Sequence, residues 1–314
     1  MTGPVLVIAG PTASGKSALA LDAAVAFAGT VINADSMQVY RELRVLTARP
    51  SPEAEAWAPH RLFGVIGVGE RCSAGRWLAM ATAEIEAARA ARRLPIVVGG
   101  TGLYLKALTE GLSPLPEVPE QVRVEARALH RRLGGPGFRD ALAGLDPEMA
   151  ARLSAGDRQR LMRAYEVVRA TGRSLARWQR EEPPRPALAA RFATVLLAPP
   201  RQALYAAIDA RFEAMLAAGA LAEVAALAGS GLDASRPAPK ALGLGALARH
   251  LRGEITLDEA SEDAKRASRN YAKRQLTWFR HQMLRAEVIN EQYSESLRPK
   301  IFSFIRRFLL TGPT

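Results

Sequence analysis

Short, continuous apolar runs alternate along the chain with longer segments of helical periodicity. The apolar runs cover residues 5–9, 30–33, 95–98 and 193–198. Residues 77–93, between the second and third of these runs, have the spacing of an amphipathic helix. Uninterrupted apolar runs of this length are typical of strands that are buried on both faces of a parallel sheet. The alternation therefore predicts βαβ units and an α/β fold with a doubly wound parallel sheet.

The same pattern predicts further elements. Residues 62–68 predict another strand, and residues 204–216 and 265–285 predict amphipathic helices. Residues 301–310 carry an apolar stripe, which favours packing on the core rather than on a membrane. One face of the helix at 265–285 is cationic. This face either binds a phosphate backbone or is simply exposed to solvent. The residues on that face are Arg266, Arg269, Lys273 and Arg280.

Two proline-rich segments, 111–119 and 181–186, mark changes in composition. Between them the chain has no strand pattern, and residues 123–180 contain thirteen arginines but only six acids. This charge favours contact with a nucleic-acid backbone; a lid over the active site is the alternative, and one segment can serve both roles. We predict an all-helical insertion domain at residues 113–190. The core that carries it consists of residues 1–112 and 191–286, and residues 287–314 form a C-terminal tail.

The first apolar run leads directly into GPTASGKS, residues 10–17, which matches the Walker A pattern G-x-x-x-x-G-K-[ST] at every position. Its glycines let backbone N–H groups curl around a phosphate, and the positive end of the following helix points at the same place. Lys16 can reach the terminal phosphate, and the Ser17 hydroxyl can bind Mg²⁺. The sequence therefore predicts a P-loop NTPase-like core whose diphosphate-binding residues are Gly10, Thr12, Ala13, Ser14, Gly15, Lys16 and Ser17.

Two other polar segments also follow predicted strands. Asp35 comes just after the run at 30–33, and the glycine-rich turn at 99–102, which contains Thr101, follows the run at 95–98. Ligands of such sheets bind outside the carboxyl ends of the strands, so these segments and the P-loop should share one crevice. A carboxylate at this place suits a general base that acts on an acceptor, and a hydroxyl such as that of Thr101 can orient the acceptor or the phosphate.

These residues leave three classes of function open. An acceptor that attacks phosphorus makes the protein a kinase, and an acceptor that attacks the carbon bearing the diphosphate makes it an alkyl transferase. A P-loop protein that binds nucleic acid without transfer chemistry is the third possibility. The basic insertion favours a macromolecular acceptor.

The amino-acid composition limits the kinds of partner, metal site and cellular location that we expect. The net charge of +12 and the pI near 10.5 indicate a polyanionic partner, with nucleic acid first. One cysteine and four scattered histidines exclude a disulfide framework and disfavour a zinc site. The first apolar run is the P-loop strand itself, and no run is long enough to span a bilayer, so we expect a cytoplasmic protein without a membrane partner.

Seven runs, in order along nearly the whole chain, resemble the tRNA dimethylallyltransferase (tRNA isopentenyltransferase) family. They read GPTASGKS, NADSMQVYREL, TARP, GGTGLYLKAL, DRQRLMRAYEV, DARFEAML and YAKRQLTWFR. The resemblance implies transfer of a dimethylallyl group from dimethylallyl diphosphate to N6 of adenosine 37, next to the anticodon of certain tRNAs. It also implies release of pyrophosphate and a need for Mg²⁺. We expect a monomer that binds the tRNA anticodon stem-loop.

The resemblance also implies roles for individual residues. Asp35 corresponds to the general base on the adenine N6, Thr101 to a threonine that contacts the base or the diphosphate, and Arg211 to the arginine that holds the leaving diphosphate. The residues that it assigns to tRNA contact are Asp35, Ser36, Met37, Gln38, Thr101, Arg123, Gln159, Arg160, Leu161, Met162, Arg163 and Lys240.

Overall fold

The computed structural model describes residues 3–229 and 238–311. Within them the chain forms two compact units, one made of the described residues before 110 and after 186 and the other of residues 110–186. The remaining residues, which belong to the predicted core and tail, lie outside the described part of the chain. No helix among the described residues is long and apolar enough to cross a membrane.

The first unit contains a six-stranded sheet in which every pair of neighbours is parallel. In chain order its strands are β1 (Gly3–Ala9), β2 (Gly29–Asn33), β3 (His60–Arg61), β4 (Leu94–Gly99), β5 (Ala190–Leu197) and β6 (Glu287–Ile289). Their spatial order is β3-β2-β4-β1-β5-β6, so β1 lies between β4 and β5 in the middle of the sheet. The predicted parallel α/β sheet is confirmed.

Helices connect these strands. Those of the first unit are α1 (Lys16–Ala26), α2 (Pro52–Trp57), α3 (Ala74–Ala90), α4 (Gly102–Glu110), α9 (Arg201–Ala217), α10 (Ala220–Ala228), α11 (Leu244–Leu251), α12 (Leu257–Gln282) and α13 (Arg298–Leu310), with short 3₁₀ turns at Ala238–Lys240 and Glu295–Leu297. Those of the second unit are α5 (Glu120–Ala143), α6 (Pro147–Arg152), α7 (Arg158–Thr171) and α8 (Leu175–Glu181). The last residue of α4, Glu110, is the first residue of the second unit.

The register of the central strands brings their carboxyl ends to one edge. Ala9 pairs with Gly99, and Asn33 pairs with Val98. The loops that follow β1, β2 and β4 therefore all leave the sheet at this edge. These loops carry the P-loop, Asp35 and Thr101, in agreement with the convergence that the sequence predicts.

One face of the sheet is covered by the first and last helices. Leu6 and Ile8 of β1 pack in one buried cluster with Leu19 of α1 and with Ile301 and Ile305 of α13. Helix α3 packs outside this cluster, against β2 and β4. The C-terminal segment thus contributes both an edge strand, β6, and a core helix to the first unit, whereas the sequence analysis predicted only a packed helix there.

The predicted strand at residues 62–68 is wrong. Strand β3 ends at Arg61, and beyond it only an isolated bridge joins Tyr40 and Ile66. Leu62 and Gly64 both adopt left-handed backbone conformations, with φ of 63° and 61°, and such residues cannot continue an extended strand. Leu62, Ile66 and Val68 of this segment are buried, but in a looped chain rather than in the sheet.

Helix α12 is longer than the predicted 265–285 helix at its start and shorter at its end. It begins at Leu257 because the Thr256 hydroxyl accepts a hydrogen bond from the Glu259 N–H while the Glu259 carboxylate accepts one from the Thr256 N–H. It ends at Gln282, three residues before the predicted end. The reciprocal pair at residues 256 and 259 is a start signal that the charge-based analysis missed.

The second unit is helical and has its own core. Helices α5 and α7 pack through Phe138, Leu142, Leu161 and Ala164, all of them fully buried. Helix α5 is kinked at Gly134, where φ is 67°. Near the two ends of the unit, an antiparallel bridge joins Leu112 and Arg185.

A buried carboxylate organises the second unit. Asp146, which is only 2% exposed, accepts hydrogen bonds from the N–H of Met149 in α6, from the Ser174 hydroxyl and from the N–H of Leu175 in α8. It therefore caps the starts of two helices at once. A cap alone contributes about 1 kcal/mol, and hydrogen bonds to a charged group contribute about 1.5–3 kcal/mol each.

We expect Asp146→Ala to lower the free energy of unfolding of the second unit by about 3 kcal/mol, because three donors, two of them buried, lose their acceptor. Denaturant unfolding of the full chain, followed by circular dichroism, measures this change. Asp140→Ala, at an exposed position in the same unit, is the matched control and should change stability by less than about 0.5 kcal/mol. Equal effects of the two substitutions would contradict the capping role.

Candidate active site

The P-loop connects β1 to α1 with the backbone geometry that its sequence predicts. Gly15 has a φ of 86° and precedes α1, and a Cβ atom there would lie 2.7 Å from the Cβ atom of Tyr293. Ala13 also lies in the left-handed region, with a φ of 63°. Helix α1 has no side-chain cap, so its first N–H groups are available to an anion at the loop.

Two cationic side chains meet at this loop. The Lys16 ammonium donates a hydrogen bond of 3.1 Å to the Pro11 carbonyl, and the Arg211 guanidinium, from α9, donates one to the Thr12 hydroxyl. Burial lowers the pKa of Lys16 to about 8; the charge of Asp35 opposes this shift, and the charge of Arg211 adds to it. Burial also lowers the pKa of Arg211, again opposed by Asp35. Two desolvated cations thus lie within electrostatic range of one carboxylate.

Asp35 is held rigidly after β2. Its Oδ1 atom accepts hydrogen bonds from the N–H groups of Met37, at 2.8 Å, and Gln38, at 3.4 Å. Its own N–H donates to the side chain of Asn33 at 2.8 Å. In the part of the chain that the structure describes, no donor binds its Oδ2 atom. The carboxylate is therefore fixed in direction through one oxygen, and the other can accept a proton.

Thr101 joins the loops that follow β2 and β4. Its hydroxyl accepts a hydrogen bond of 2.9 Å from the Ser36 N–H, and its own N–H donates to the Ala34 carbonyl at 3.2 Å. The Tyr271 phenol lies within hydrogen-bonding reach of the same hydroxyl. Thr101 thus orients the turn that carries Asp35, in addition to any contact with a ligand.

Gln275, which the sequence analysis did not single out, links the P-loop to the turn after β4. Its Oε1 atom accepts from the Thr12 N–H at 2.9 Å, and its Nε2 atom donates to the Gly100 carbonyl at 2.8 Å. A Cβ atom on Gly100 would lie 2.2 Å from that Nε2 atom, so a side chain there would displace the Gln275 amide from its hydrogen bonds. Gln275 is 6% exposed, and a glutamine on the buried side of an amphipathic helix was the available signal.

Asn33 and Tyr271 complete the surroundings of Asp35 and were also missed. Asn33 is fully buried and donates from its amide nitrogen to the carbonyls of Asp35 and Leu62, at 3.0 and 3.1 Å. Burial raises the pKa of the Tyr271 phenol, and the negative charge of Asp35 raises it further. A strand that ends in Asn followed by Ala-Asp is a signal for such a turn, since Asn side chains bind nearby backbone groups.

The predicted P-loop residues are not equivalent. Ser14 is fully buried, its N–H donates to the Pro11 carbonyl at 3.3 Å, and its hydroxyl has no hydrogen-bond partner among the described residues. Ser17, in contrast, is exposed on the first turn of α1. No group of three or more His, Cys, Asp or Glu residues that could hold a metal occurs among residues 3–229 and 238–311. Mg²⁺ often binds through few protein ligands together with phosphate oxygens and water, so one serine hydroxyl fits this ion.

The segment at residues 36–38 lies beside the site, but its groups differ in availability. Both hydrogens of the Gln38 side-chain amide are engaged, because its nitrogen donates to the carbonyls of Thr47 and Ala48 at 2.9 and 3.0 Å. Ser36 and Met37 are partly exposed. Lys240 is exposed at the end of a 3₁₀ turn.

The second unit contains the other residues that were assigned to tRNA contact, and one of them is wrong. Leu161 is 0% exposed and belongs to the core of that unit, so it cannot reach a ligand. It lies on the inward face of α7, one residue from exposed Arg160, and the sequence run did not separate the two faces. Gln159 is exposed, whereas Met162, Arg163 and Arg123 are partly buried.

Not all of the arginines in the second unit carry free charge. Several form ion pairs within the unit, among them Arg127 with Glu120 and Arg152 with Glu148. Arg131, Arg132 and Arg158 are exposed and form no ion pair within the described residues. Burial lowers the pKa of His130, and the nearby charge of Arg158 lowers it further, so the middle of α5 and the start of α7 are close. This part of the unit is the strongest candidate for contact with a polyanion.

The cationic face that was predicted on α12 is also partly neutralised. Arg269 binds both carboxylate oxygens of Asp209, and Arg266 pairs with Asp263. Lys273 contributes, with Trp278 and other residues of α12, to a surface cavity of about 520 Å³. The available charge therefore lies nearer the carboxyl end of the helix than the sequence pattern indicated.

A parallel sheet with β1 at its centre, and a P-loop with two desolvated cations and a fixed carboxylate beside it, define a P-loop-type α/β protein. The chain matches the family model for IPP transferase over residues 38–282 and the model for isopentenyl transferase over residues 3–63. It belongs to the IPP transferase family of prenyltransferases, as the sequence analysis predicted.

Relatives and solved structures agree with this assignment. The chain is 59% identical over 285 residues to a tRNA dimethylallyltransferase of Rhodospirillum centenum, covering 91% of each chain. It is similar to the crystal structure of a tRNA isopentenylpyrophosphate transferase from Bacillus halodurans, with a TM-score of 0.71 and 30% identity over 98% of this chain and 97% of that one. A eukaryotic dimethylallyltransferase described as acting on tRNA shares the fold, with a TM-score of 0.78 and 23% identity over 98% of this chain and 80% of that one.

The lowered pKa of Lys16 predicts a pH dependence of pyrophosphate binding. The ammonium is protonated below about pH 8 and attracts the anion; above that pH the free protein must take up a proton to bind. We therefore expect affinity, measured by isothermal titration calorimetry, to fall as the pH rises through about 8.

Lys16→Arg is the control for this prediction, because arginine stays protonated over the whole range. The difference between the two profiles isolates the lysine from the titration of pyrophosphate itself. Parallel profiles for both proteins would contradict the role of Lys16.

Proposed function

We propose that this chain transfers a dimethylallyl group from dimethylallyl diphosphate to N6 of adenosine 37 in tRNA and releases pyrophosphate. The observation that carries the proposal is the pairing of a P-loop holding two desolvated cations, Lys16 and Arg211, with the fixed carboxylate of Asp35. Similarity to enzymes named tRNA dimethylallyltransferase supports the choice of donor and acceptor.

The cations suit a leaving diphosphate. As the allylic C–O bond breaks, negative charge grows on the bridging oxygen and the diphosphate. Lys16, Arg211 and the N–H groups at the start of α1 are in place before that charge develops, so little reorganisation is needed. Because both side chains are desolvated, they interact with the developing charge more strongly than exposed cations would.

The carboxylate suits the acceptor. The adenine amine forms its N6–C bond to the allylic carbon while the C–O bond to the diphosphate breaks, and the nitrogen must lose one proton. We assign that proton to Oδ2 of Asp35, while the N–H groups of Met37 and Gln38 hold Oδ1. Thr101 keeps the turn in register through Ser36 and can donate its hydroxyl proton to the acceptor.

The acceptor has to be brought to the P-loop. A base that is stacked in a loop cannot reach a site at the edge of a sheet, so we propose that adenosine is flipped out of the anticodon loop. The net charge of +12 favours RNA binding, and the exposed arginines of the second unit would bind the phosphates of the anticodon stem-loop. The residues that we propose for this contact are Arg123, Gln159, Arg160, Met162 and Arg163, with Ser36, Met37, Gln38 and Lys240 in the first unit.

Magnesium is the proposed cofactor. The exposed hydroxyl of Ser17 would bind it together with oxygens of the diphosphate, as Mg²⁺ prefers. When bound, the ion neutralises charge on the leaving group. We further propose that the protein works as a monomer and in the cytoplasm, where a tRNA-modifying enzyme meets its substrate.

Incubation of the protein with labelled dimethylallyl diphosphate, Mg²⁺ and unmodified tRNA tests the proposed function. We expect label in the tRNA, at an N6-alkylated adenosine that nuclease digestion and mass spectrometry identify. Transfer of phosphate from ATP to a small acceptor, without label in tRNA, would instead make the protein a kinase. If the protein binds tRNA but transfers neither the dimethylallyl group nor phosphate, it is a tRNA-binding protein and not a transferase.

Asp35→Asn tests the proposed general base. The amide keeps an oxygen for the N–H groups of Met37 and Gln38 but cannot take the proton, so we expect kcat to fall by about 10²–10⁴-fold. The KM for tRNA should change by less than about threefold. Turnover within a few-fold of the unchanged protein would refute the assignment, and Asp209→Asn, at an acid of α9 that pairs with Arg269, is the matched control.

A further inference from the structure

The outer side of the P-loop is contacted by the chain that follows β6. The amide nitrogen of Gln292 donates a hydrogen bond of 2.7 Å to the Ala13 carbonyl. The N–H of Tyr293 donates one of 3.3 Å to the Ser14 carbonyl. Two successive carbonyls of the loop are therefore held by two successive residues of a segment that lies nearly 280 positions away in the sequence.

The Tyr293 contact fixes the direction of one N–H group of the loop, and the Gln292 contact supports the backbone just before it. The carbonyl and the N–H of one trans peptide point in opposite directions, and the described residues contain no cis peptide bond. Holding the Ser14 carbonyl on the outer side therefore turns the Gly15 N–H inward, towards the position of a phosphate. Ala13 is a non-glycine residue in the left-handed region, a conformation that needs support from its surroundings. Gln292 binds the carbonyl of that same residue.

The segment is itself anchored to the helix that starts at the loop. The Tyr293 hydroxyl donates to Asp22 of α1 at 2.5 Å. Arg298 donates to both oxygens of the same carboxylate, at 2.8 and 2.9 Å. The loop, α1 and the chain after β6 are thus joined in one hydrogen-bond network. Because its neighbours are anchored to α1, Gln292 is held in place while it binds the loop.

We propose that Gln292 is a positioning residue for the reaction: it holds the P-loop in the conformation that binds diphosphate. This inference rests on the proposed function, because it assumes that the loop holds the diphosphate end of the donor. Gln292 itself lies on the outer side of the loop and acts only through the Ala13 carbonyl. Its effect should therefore appear in binding of the diphosphate and not in recognition of tRNA.

Gln292→Met tests the proposal, because methionine has a similar length but no N–H donor. We expect the Kd for inorganic pyrophosphate in the presence of Mg²⁺, measured by calorimetry, to rise about five- to tenfold, the equivalent of one neutral hydrogen bond. The KM for dimethylallyl diphosphate should rise by a similar factor. The KM for tRNA should stay within twofold, which separates positioning of the loop from general damage to the fold.

Asn290→Ala, at an exposed position two residues earlier, is the matched control and should leave both constants unchanged. If Gln292→Met lowers the midpoint of thermal unfolding by more than a few degrees, Gln292→Ala replaces it in the same measurements. An unchanged Kd for pyrophosphate in a folded variant overturns the proposal, as does an equal rise in both KM values. The pyrophosphate measurement needs no tRNA, so it remains decisive even if the unaltered protein fails to transfer a dimethylallyl group.

Discussion

Desolvation of two cations beside a carboxylate is the interaction on which the site depends. Lys16 and Arg211 have lost much of their hydration, and burial lowers the pKa of each. Asp35 offsets part of that cost through its charge, without forming a close ion pair with either side chain in the described structure. Two positive charges therefore face one negative charge, and an anionic ligand can compensate the excess. Such an uncompensated charge is typical of functional sites rather than of structural ion pairs.

This constraint explains why so many backbone groups around the site are fixed. A loop that keeps two cations close together cannot rely on its own short sequence, since glycine and alanine contribute little packing. The necessary hydrogen bonds come from α12 through Gln275, from the turn after β4 through Thr101 and from the segment after β6. The carboxyl edge of the parallel sheet is where elements so distant in sequence can meet.

Much of this architecture could be predicted from the sequence, because strong local patterns coincide with it. Strands β1, β2, β4 and β5 each include one of the short apolar runs, and the P-loop has a fixed spacing. Strand β6 could not be predicted: it is three residues long, contains a glutamate and exists only because β5 offers an edge. The interpretation of residues 62–68 failed because left-handed residues, which leave no mark in hydrophobicity, determine the course of the chain there.

In the site, too, some residues could be predicted from the sequence and others could not. Residues of fixed chemical type and spacing, such as Lys16 and Asp35, could be identified, whereas supporting residues such as Gln275 and Asn33 act through contacts that only the folded chain creates. Leu161 was misassigned because a run of letters does not say which side of a helix faces inward. The arginine excess likewise overstated the free charge, since acids three or four positions away, or on neighbouring helices, neutralise part of it.

The bridge between Leu112 and Arg185 has a consequence for how such a chain can be assembled and altered. The helical unit begins and ends near this pair of residues and has a hydrophobic core of its own. The chain therefore enters and leaves the unit at neighbouring points. Its helices can lengthen, shorten or change their surface while the strands on either side keep their register. The surface of the helical unit and the residues around the P-loop are thereby free to diverge separately within a single polypeptide.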